Sequence, residues 1–329
     1  MNFDHYSITP PNPILFRLEN VPIFGTITLT WYGFLIGIGV FLAVFASIRE
    51  GKKRGIDGEL FIDLFGVGFP LSILGARLYF VIFSSQNLMW YLQNPIRIIA
   101  TWEGGLAIHG GIIVAGLYAW WYLNRKKIPV LPILDIVAVG FFIGQIIGRF
   151  GNFMNQEAHG HMINAPTLDA QREFLTNLFI PEFIVNGMFI NGNYYHPTFL
   201  YEALWNFAWL LIAAFILRRL SKVLIGEIAA FYAIWYSFGR IFIESLRTDS
   251  LMLGPLRVAQ VISIVAIVGV AVLVVYRRKQ EKQLIPYATF NLIEWEDGQK
   301  KGKENPKKNK KKQQSQSQNF QHRPKRKKR

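Results

Sequence analysis

Cysteine is absent from the 329 residues. That excludes disulfides, thiolate metal sites and a cysteine nucleophile. Histidine is scarce, with six in the chain. No HExxH or comparable ligand spacing occurs, so neither a metal nor a cofactor is expected. A GxSxG nucleophile motif is also missing, as are paired aspartates in facing apolar segments, which argues against an intramembrane protease. No repeat recurs at a fixed period. No basic n-region precedes the first apolar run, which is too long and too aromatic for a cleaved signal peptide and reads as a span. Acidic residues are fewer than basic ones, 21 against 36, giving a formal net charge of +15. Such a charge could serve nucleic acid, but 18 of the 36 Lys and Arg lie after Tyr276 in a polar tail. No nucleic-acid partner is therefore expected.

What the chain has in quantity is apolar sequence. It is 51% hydrophobic and 15% aromatic, with a mean hydropathy of +0.24. Seven apolar segments lie at 26–48, 60–83, 105–123, 132–152, 198–218, 226–246 and 256–276. Each is about the length that crosses a hydrocarbon core of about 30 Å as a helix. Backbone groups must be satisfied internally there, so the expected fold is an all-α integral membrane protein with seven transmembrane helices. The expected divisions are an external arm at 1–25, helices one to four over 26–152, a small external head at 153–197, helices five to seven over 198–276, and a basic, disordered tail at 277–329. The tail could also bind anionic lipid.

Lys and Arg sort the loops. Arg49, Lys52, Lys53 and Arg54 follow the first segment; Arg125, Lys126 and Lys127 follow the third; Arg218, Arg219 and Lys222 follow the fifth. The alternate loops are nearly bare, and the head holds only Arg172. The positive-inside rule then sets the N-terminus outside and the C-terminus inside. Glycines in the spans, among them Gly33, Gly37, Gly39, Gly110, Gly111 and Gly116, read as close helix packing.

This orientation collects polar residues in one layer near the outer ends of six spans: Tyr32, Arg77 and Tyr79, His109, Arg149 and Asn152, His196 with Tyr201 and Glu202, and Tyr236 with Arg240, Glu244 and Arg247. The last four share one helix face. Arg149 alone could be a snorkelling residue, and an Arg240–Glu244 pair could be internal to its helix. Neither reading explains the shared depth. Arginine's planar fork matches phosphate geometry, and the apolar walls suit acyl chains. The layer therefore points to a phosphate-bearing lipid at the outer face. Asp63, Asp135 and Glu227 have a simpler reading, as carboxylates in the first turn of helices that start inside.

The stretch from Gly148 to Gly160, GRFGNFMNQEAHG, resembles the G-R-x-G-N-F-x-N-x-E-x-x-G signature of the prolipoprotein diacylglyceryl transferases. Other pieces similar to that family follow its order: Trp31-Tyr32-Gly33, Gly75-Ala76-Arg77-Leu78, Trp102-Glu103-Gly104-Gly105, His109-Gly110-Gly111, His196-Pro197-Thr198, Leu200-Tyr201-Glu202, and Tyr236, Arg240, Glu244 and Arg247 at spacings of four, four and three. The resemblance covers roughly residues 15–280 and leaves His159 in a variable position without a role. It implies a multi-pass enzyme of the bacterial inner membrane, with membrane lipids around it. Its partners would be phosphatidylglycerol and a prolipoprotein signal peptide with a lipobox cysteine. It would move the diacylglyceryl group to that cysteine as a thioether and release glycerol phosphate.

On that resemblance Arg149 and Arg240 are expected to bind the phosphate and its developing charge. His109 is expected either to act as general base or only to orient substrate, the arginines then lowering the thiol pKa. Asn152, Asn155 and Tyr32 orient the headgroup, with Glu157, Gly160 and Tyr236 beside them. Glu157, Glu202 and Glu244 hold arginines in place, with Arg247, His196 and Tyr201 as supporting neighbours. The alternative class is a phospholipid transporter or flippase, which intramembrane Arg and Glu would also suit. Transporters, however, often place such groups near the midplane.

Overall fold

The computed structural model describes residues 11–21, 25–83, 88–101, 104–248, 250–280 and 285–304. A hairpin of β1 (Ile14–Val21) and β2 (Gly25–Thr30) leads into α1 (Trp31–Lys52). The first apolar segment was expected to be helical from residue 26. Instead Thr26, Ile27, Thr28, Leu29 and Thr30 are strand, because alternating β-branched residues fit a pleated pair better than a helix. Thr30 then caps α1, its hydroxyl accepting the Gly33 amide at 3.2 Å.

The remaining elements, in order, are α2 (Gly58–Phe83), the short α3 (Leu88–Gln93) and α4 (Pro95–Ile98), α5 (Ile108–Lys126) and α6 (Val130–Met154). The head holds α7 (Leu168–Asn177), α8 (Glu182–Gly187), β3 (Phe189–Ile190) and β4 (Asn193–Tyr194). Then come α9 (Thr198–Phe215), α10 (Glu227–Leu246), the hairpin of β5 (Met252–Leu253) and β6 (Leu256–Arg257), α11 (Val258–Gln280) and α12 (Leu292–Glu304). Each of the seven expected apolar segments overlaps one long helix. By length and composition five are long and apolar enough to cross a membrane: α1, α2, α6, α9 with the turn after it, and α11.

Helices α1 and α6 lie along each other, as do α2 with α5 and α10 with α11; α9 packs on both α6 and α10. Small residues set the close crossings. A side chain at Gly39 would sit 3.2 Å from the Gly144 Cα, and one at Gly111 would sit 3.1 Å from the Ser72 carbonyl. By contrast Gly37 and Gly116 face open space, so the packing reading fails for those two. Phe41, Val265 and Leu273 are each more than 60% exposed on the helix exteriors. Such large apolar groups suit lipid contact and not water.

The basic ends of the helices meet at one end of the bundle. Glu50 is 4% exposed. It accepts from Arg54 at 3.1 Å and the Tyr287 hydroxyl at 3.1 Å, and pairs with Lys53 at 3.4 Å and with Arg218. Residues 285–304 were expected to belong to a disordered tail, and here the structure differs. Ile285 accepts the Ile225 amide at 3.1 Å, and Tyr287 donates to the Val223 carbonyl at 2.8 Å. Tyr287, Phe290 and Leu292 are buried among Ile56, Phe61 and Ile228 and their neighbours. The lysine-rich composition of the whole tail concealed this apolar segment. Residues 281–284 and 305–329 of the expected tail lie outside the described residues.

Of the three inner carboxylates, Glu227 lies in the first turn of its helix as expected, whereas Asp63 and Asp135 lie beyond the first turns of theirs. Asp135 does not stabilise the start of its own helix. It caps α10, accepting the Gly226 and Ala229 amides at 2.5 and 2.8 Å. Asp63 accepts from the Tyr122 hydroxyl. Glu227 does open α10, and it pairs with Arg278 at 2.6 Å.

Tyr287→Ala is expected to destabilise the protein by about 3–5 kcal/mol, the cost of deleting a fully buried aromatic ring. Tyr287→Phe should cost about 1 kcal/mol, the net worth of one hydrogen bond. Equilibrium unfolding in detergent micelles measures both; equal costs for the two variants would refute the ring's packing role.

Candidate active site

At the other end, the signature stretch closes α6 and folds back over it. Arg149, Asn152 and Asn155 lie in or just after the last turns of α6. Gln156 and Ala158 both adopt left-handed backbone, with φ of 49° and 56°. These two reversals coil the chain so that the Glu157 amide reaches the Asn152 carbonyl at 3.0 Å. The Ala158 carbonyl accepts from the Thr198 hydroxyl at 2.6 Å, and the Gly160 amide donates to the His196 carbonyl at 2.8 Å. Gly160 also bridges to Arg247 at the end of α10. One short segment thus ties the ends of α6, α9 and α10 together.

Two glycines of the stretch are required by close approach. A Cβ on Gly151 would come within 2.6 Å of the Tyr32 ring. One on Gly160 would come within 2.7 Å of the His196 Cβ and 3.1 Å of the Leu246 carbonyl. Tyr32 is thereby laid against the end of α6.

The centre of the site is Glu202, in the first turns of α9 and 4% exposed. Its carboxylate pairs with Arg149 at 2.5 Å, Arg240 at 3.1 Å and Arg247 at 3.7 Å. Arg240 also reaches Glu244 at 2.7 Å. Arg149 donates to the Asn152 side-chain oxygen at 3.4 Å, and Asn152 donates in turn to Glu157 at 2.9 Å. Asn155 reaches the same Glu157 oxygen at 3.4 Å. The expectation that three glutamates hold arginines therefore needs one correction. Glu202 and Glu244 do so, whereas Glu157 accepts from the two asparagines and acts on Arg149 only through Asn152. Within this ion-paired set three guanidinium groups face two carboxylates. The excess of one positive charge suits a singly charged phosphodiester.

Tyr236 lines a cleft between α9 and α10 together with Glu202 and Arg240. The Tyr201 hydroxyl lies 3.3 Å from His196 Nδ1. The His196 imidazole is held below its ordinary pKa, first by burial and then by the neighbouring His161. His109 opens α5, is exposed, and its ring is 6.0 Å from that of Tyr79. Among the described residues it makes no hydrogen bond or ion pair.

Sequence reasoning did not find Arg257, which donates to the Glu244 carbonyl from the start of α11. It ends the two-residue strand β6, which is too short for any periodicity to mark it. Arg77 has a different use from the expected one. It is 2% exposed and donates to the Gly104 and Arg97 carbonyls at 2.6 and 2.7 Å, anchoring the chain that leads to His109. Trp102 and Glu103 lie outside the described residues.

A family model described as prolipoprotein diacylglyceryl transferase matches residues 19–276. Curated relatives named phosphatidylglycerol–prolipoprotein diacylglyceryl transferase are similar over most of the chain. One from Bacillus licheniformis is 46% identical over 282 residues, covering 85% of this chain and 98% of its own length. One from Bacillus cytotoxicus is 48% identical over 264 residues, covering 80% and 93%. A Bacillus cereus relative is 47% identical over 266 residues, again covering 80% and 93%.

Removing the carboxylate at the centre tests the geometry. Glu202→Ala is expected to destabilise the protein by about 3–5 kcal/mol, because breaking a buried ion pair leaves its partners uncompensated. Glu202→Gln, which keeps the shape and an acceptor oxygen, should cost less. Detergent unfolding of both variants is the measurement, and an unchanged stability for Glu202→Ala would contradict the hub.

Proposed function

This chain belongs to the prolipoprotein diacylglyceryl transferase family, and we propose that it catalyses the reaction named by its relatives. It transfers the diacylglyceryl group of phosphatidylglycerol to a prolipoprotein, at the lipobox cysteine thiol, from the outer leaflet of the bacterial inner membrane. The observation that carries this reading is the gathering of Arg149, Arg240 and Arg247 on the single buried carboxylate of Glu202. It lies at one end of an apolar helix bundle, beside the folded-back Gly148–Gly160 stretch. We read the seven long helices as seven spans, with the N-terminus outside, the head external and the C-terminus cytoplasmic. The loop charges support that orientation.

The chemistry then follows from charge. The cysteine thiol gives up its proton. Its sulfur attacks the glycerol carbon that carries the phosphate ester. The carbon–oxygen bond breaks, a carbon–sulfur thioether forms, and the bonding pair leaves on glycerol phosphate, which gains negative charge. Each guanidinium has five N–H donors, and carboxylate pairing leaves some of them free for phosphate oxygens. Arg149 and Arg240 are the phosphate clamp, preorganised by Glu202 and Glu244 where little water screens them. Asn152, held by Glu157, keeps Arg149 in line, and Tyr32 contacts the headgroup.

His109, exposed near Tyr79, meets the substrate from the α2–α5 side in this reading. It takes the thiol proton or orients the incoming peptide.

The decisive assay supplies purified protein with phosphatidylglycerol and a lipobox peptide, and looks for thioether product by mass spectrometry. Arg149→Ala and Arg240→Ala should each reduce kcat/KM by at least about 100-fold, the scale of losing one preorganised charge-stabilising donor. Lysine at either position should rescue poorly, because it lacks the planar fork. Near-normal turnover by either alanine variant would sink the clamp. For His109, the pH profile separates the two roles. If it is the base, the acid limb of kcat/KM disappears in His109→Gln; a limb that persists assigns it to orientation.

A further inference from the structure

One helical turn below the arginine layer lies a second polar tier. Gln145 stands four residues before Arg149 on α6, Asn206 four residues after Glu202 on α9, and Tyr236 four residues before Arg240 on α10. The directions of these helices put all three on the same side, about 6 Å further into the bundle at 1.5 Å rise per residue. Asn206 and Tyr236 line the cleft that Arg240 and Glu202 close from above. Asn206 is 2% exposed, and its Nδ2 has no hydrogen-bond partner among the described residues. Gln145 donates to the Tyr232 hydroxyl at 2.9 Å. Below this tier the wall is apolar, with Phe142, Trp209 and Ala213 buried against one another.

A buried amide donor without an acceptor is costly. The cleft has room for a single small oxygen-bearing group, and an acceptor oxygen brought to this depth would satisfy that amide. A diacylglyceryl lipid with its phosphate on Arg149 and Arg240 carries its next oxygens, the ester carbonyls, on the acyl side of that phosphate. We propose that Asn206 is a lipid-recognition residue, its Nδ2 donating to an ester carbonyl of the diacylglyceryl group. This rests on the transferase reading given above and deepens it. The phosphate clamp selects the headgroup; the second tier selects an ester-linked glycerol and sets the reacting carbon between the two layers. The competing occupant of the cleft is one water molecule that accepts from Asn206 Nδ2.

Phosphatidylglycerol with two ester linkages and its diether analogue, which lacks both carbonyls, separate the two. The assay is thioether formation on a lipobox peptide with detergent-solubilised full-length protein. The wild type should prefer the diester by about tenfold in kcat/KM, the scale of one buried hydrogen bond left unmade. Asn206→Leu should lose about tenfold on the diester, change less than twofold on the diether, and so lose the preference. Asn206→Ala, a smaller change in bulk that also lacks the donor, should behave alike and guards against misfolding of the leucine variant. A purely structural Asn206 would lower both lipids equally. Equal use of both lipids by the wild type overturns the proposal, and so does a preference that survives both substitutions. Absence of any product from the wild-type diester reaction would instead overturn the transferase reading and this inference with it.

Discussion

The arrangement depends on a carboxylate that has no counterpart in its own helix. Glu202 sits in the first turns of α9, nearly devoid of solvent contact, and an isolated charge there would be expensive. Arg149 from α6 and Arg240 and Arg247 from α10 answer it. Each of those arginines would in turn be costly alone at this depth. The cluster is stable only as a set, so the ends of three helices must come together for any of the charges to be tolerated. What results is a set of cationic groups held in place by the chain's own carboxylates.

The Gly148–Gly160 stretch supplies the mechanical side of that constraint. It ends α6, reverses twice through left-handed residues, and lays Gly160 between His196 and Leu246. Only a residue without a side chain fits there. Gly151 similarly admits the Tyr32 ring. The polar residues of the stretch then face one way, with Glu157 bracing the two asparagines and Asn152 bracing Arg149.

The bundle uses a buried glutamate at both ends, to different effect. Glu50 gathers Arg54, Arg218 and the Tyr287 hydroxyl, and the segment around Tyr287 closes over it. There the carboxylate is met by the chain's own donors, while Arg54 Nε is buried without a hydrogen-bond partner among the described residues. At the head end Glu202 and Arg240 border a cleft whose Asn206 Nδ2 has no hydrogen-bond partner among the described residues.

Hydropathy was sufficient to read the helical class and the position of each long helix, because an apolar segment of membrane length has one way to satisfy its backbone. The spacing of Tyr236, Arg240, Glu244 and Arg247 placed four site residues on one face, since helical periodicity is local. The signature stretch named the family. Local periodicity could not say that Thr26–Thr30 pairs as a strand, as that depends on β1 being alongside. Nor could it say that Tyr287 is buried, because the lysines around it dominate the composition. The division of labour among the glutamates was equally hidden. Glu157, Glu202 and Glu244 look alike in sequence, and only packing decides that Glu202 meets three arginines, Glu244 one and Glu157 two asparagines. Charges on separate helices find their partners through distance in space, which the order of residues does not encode.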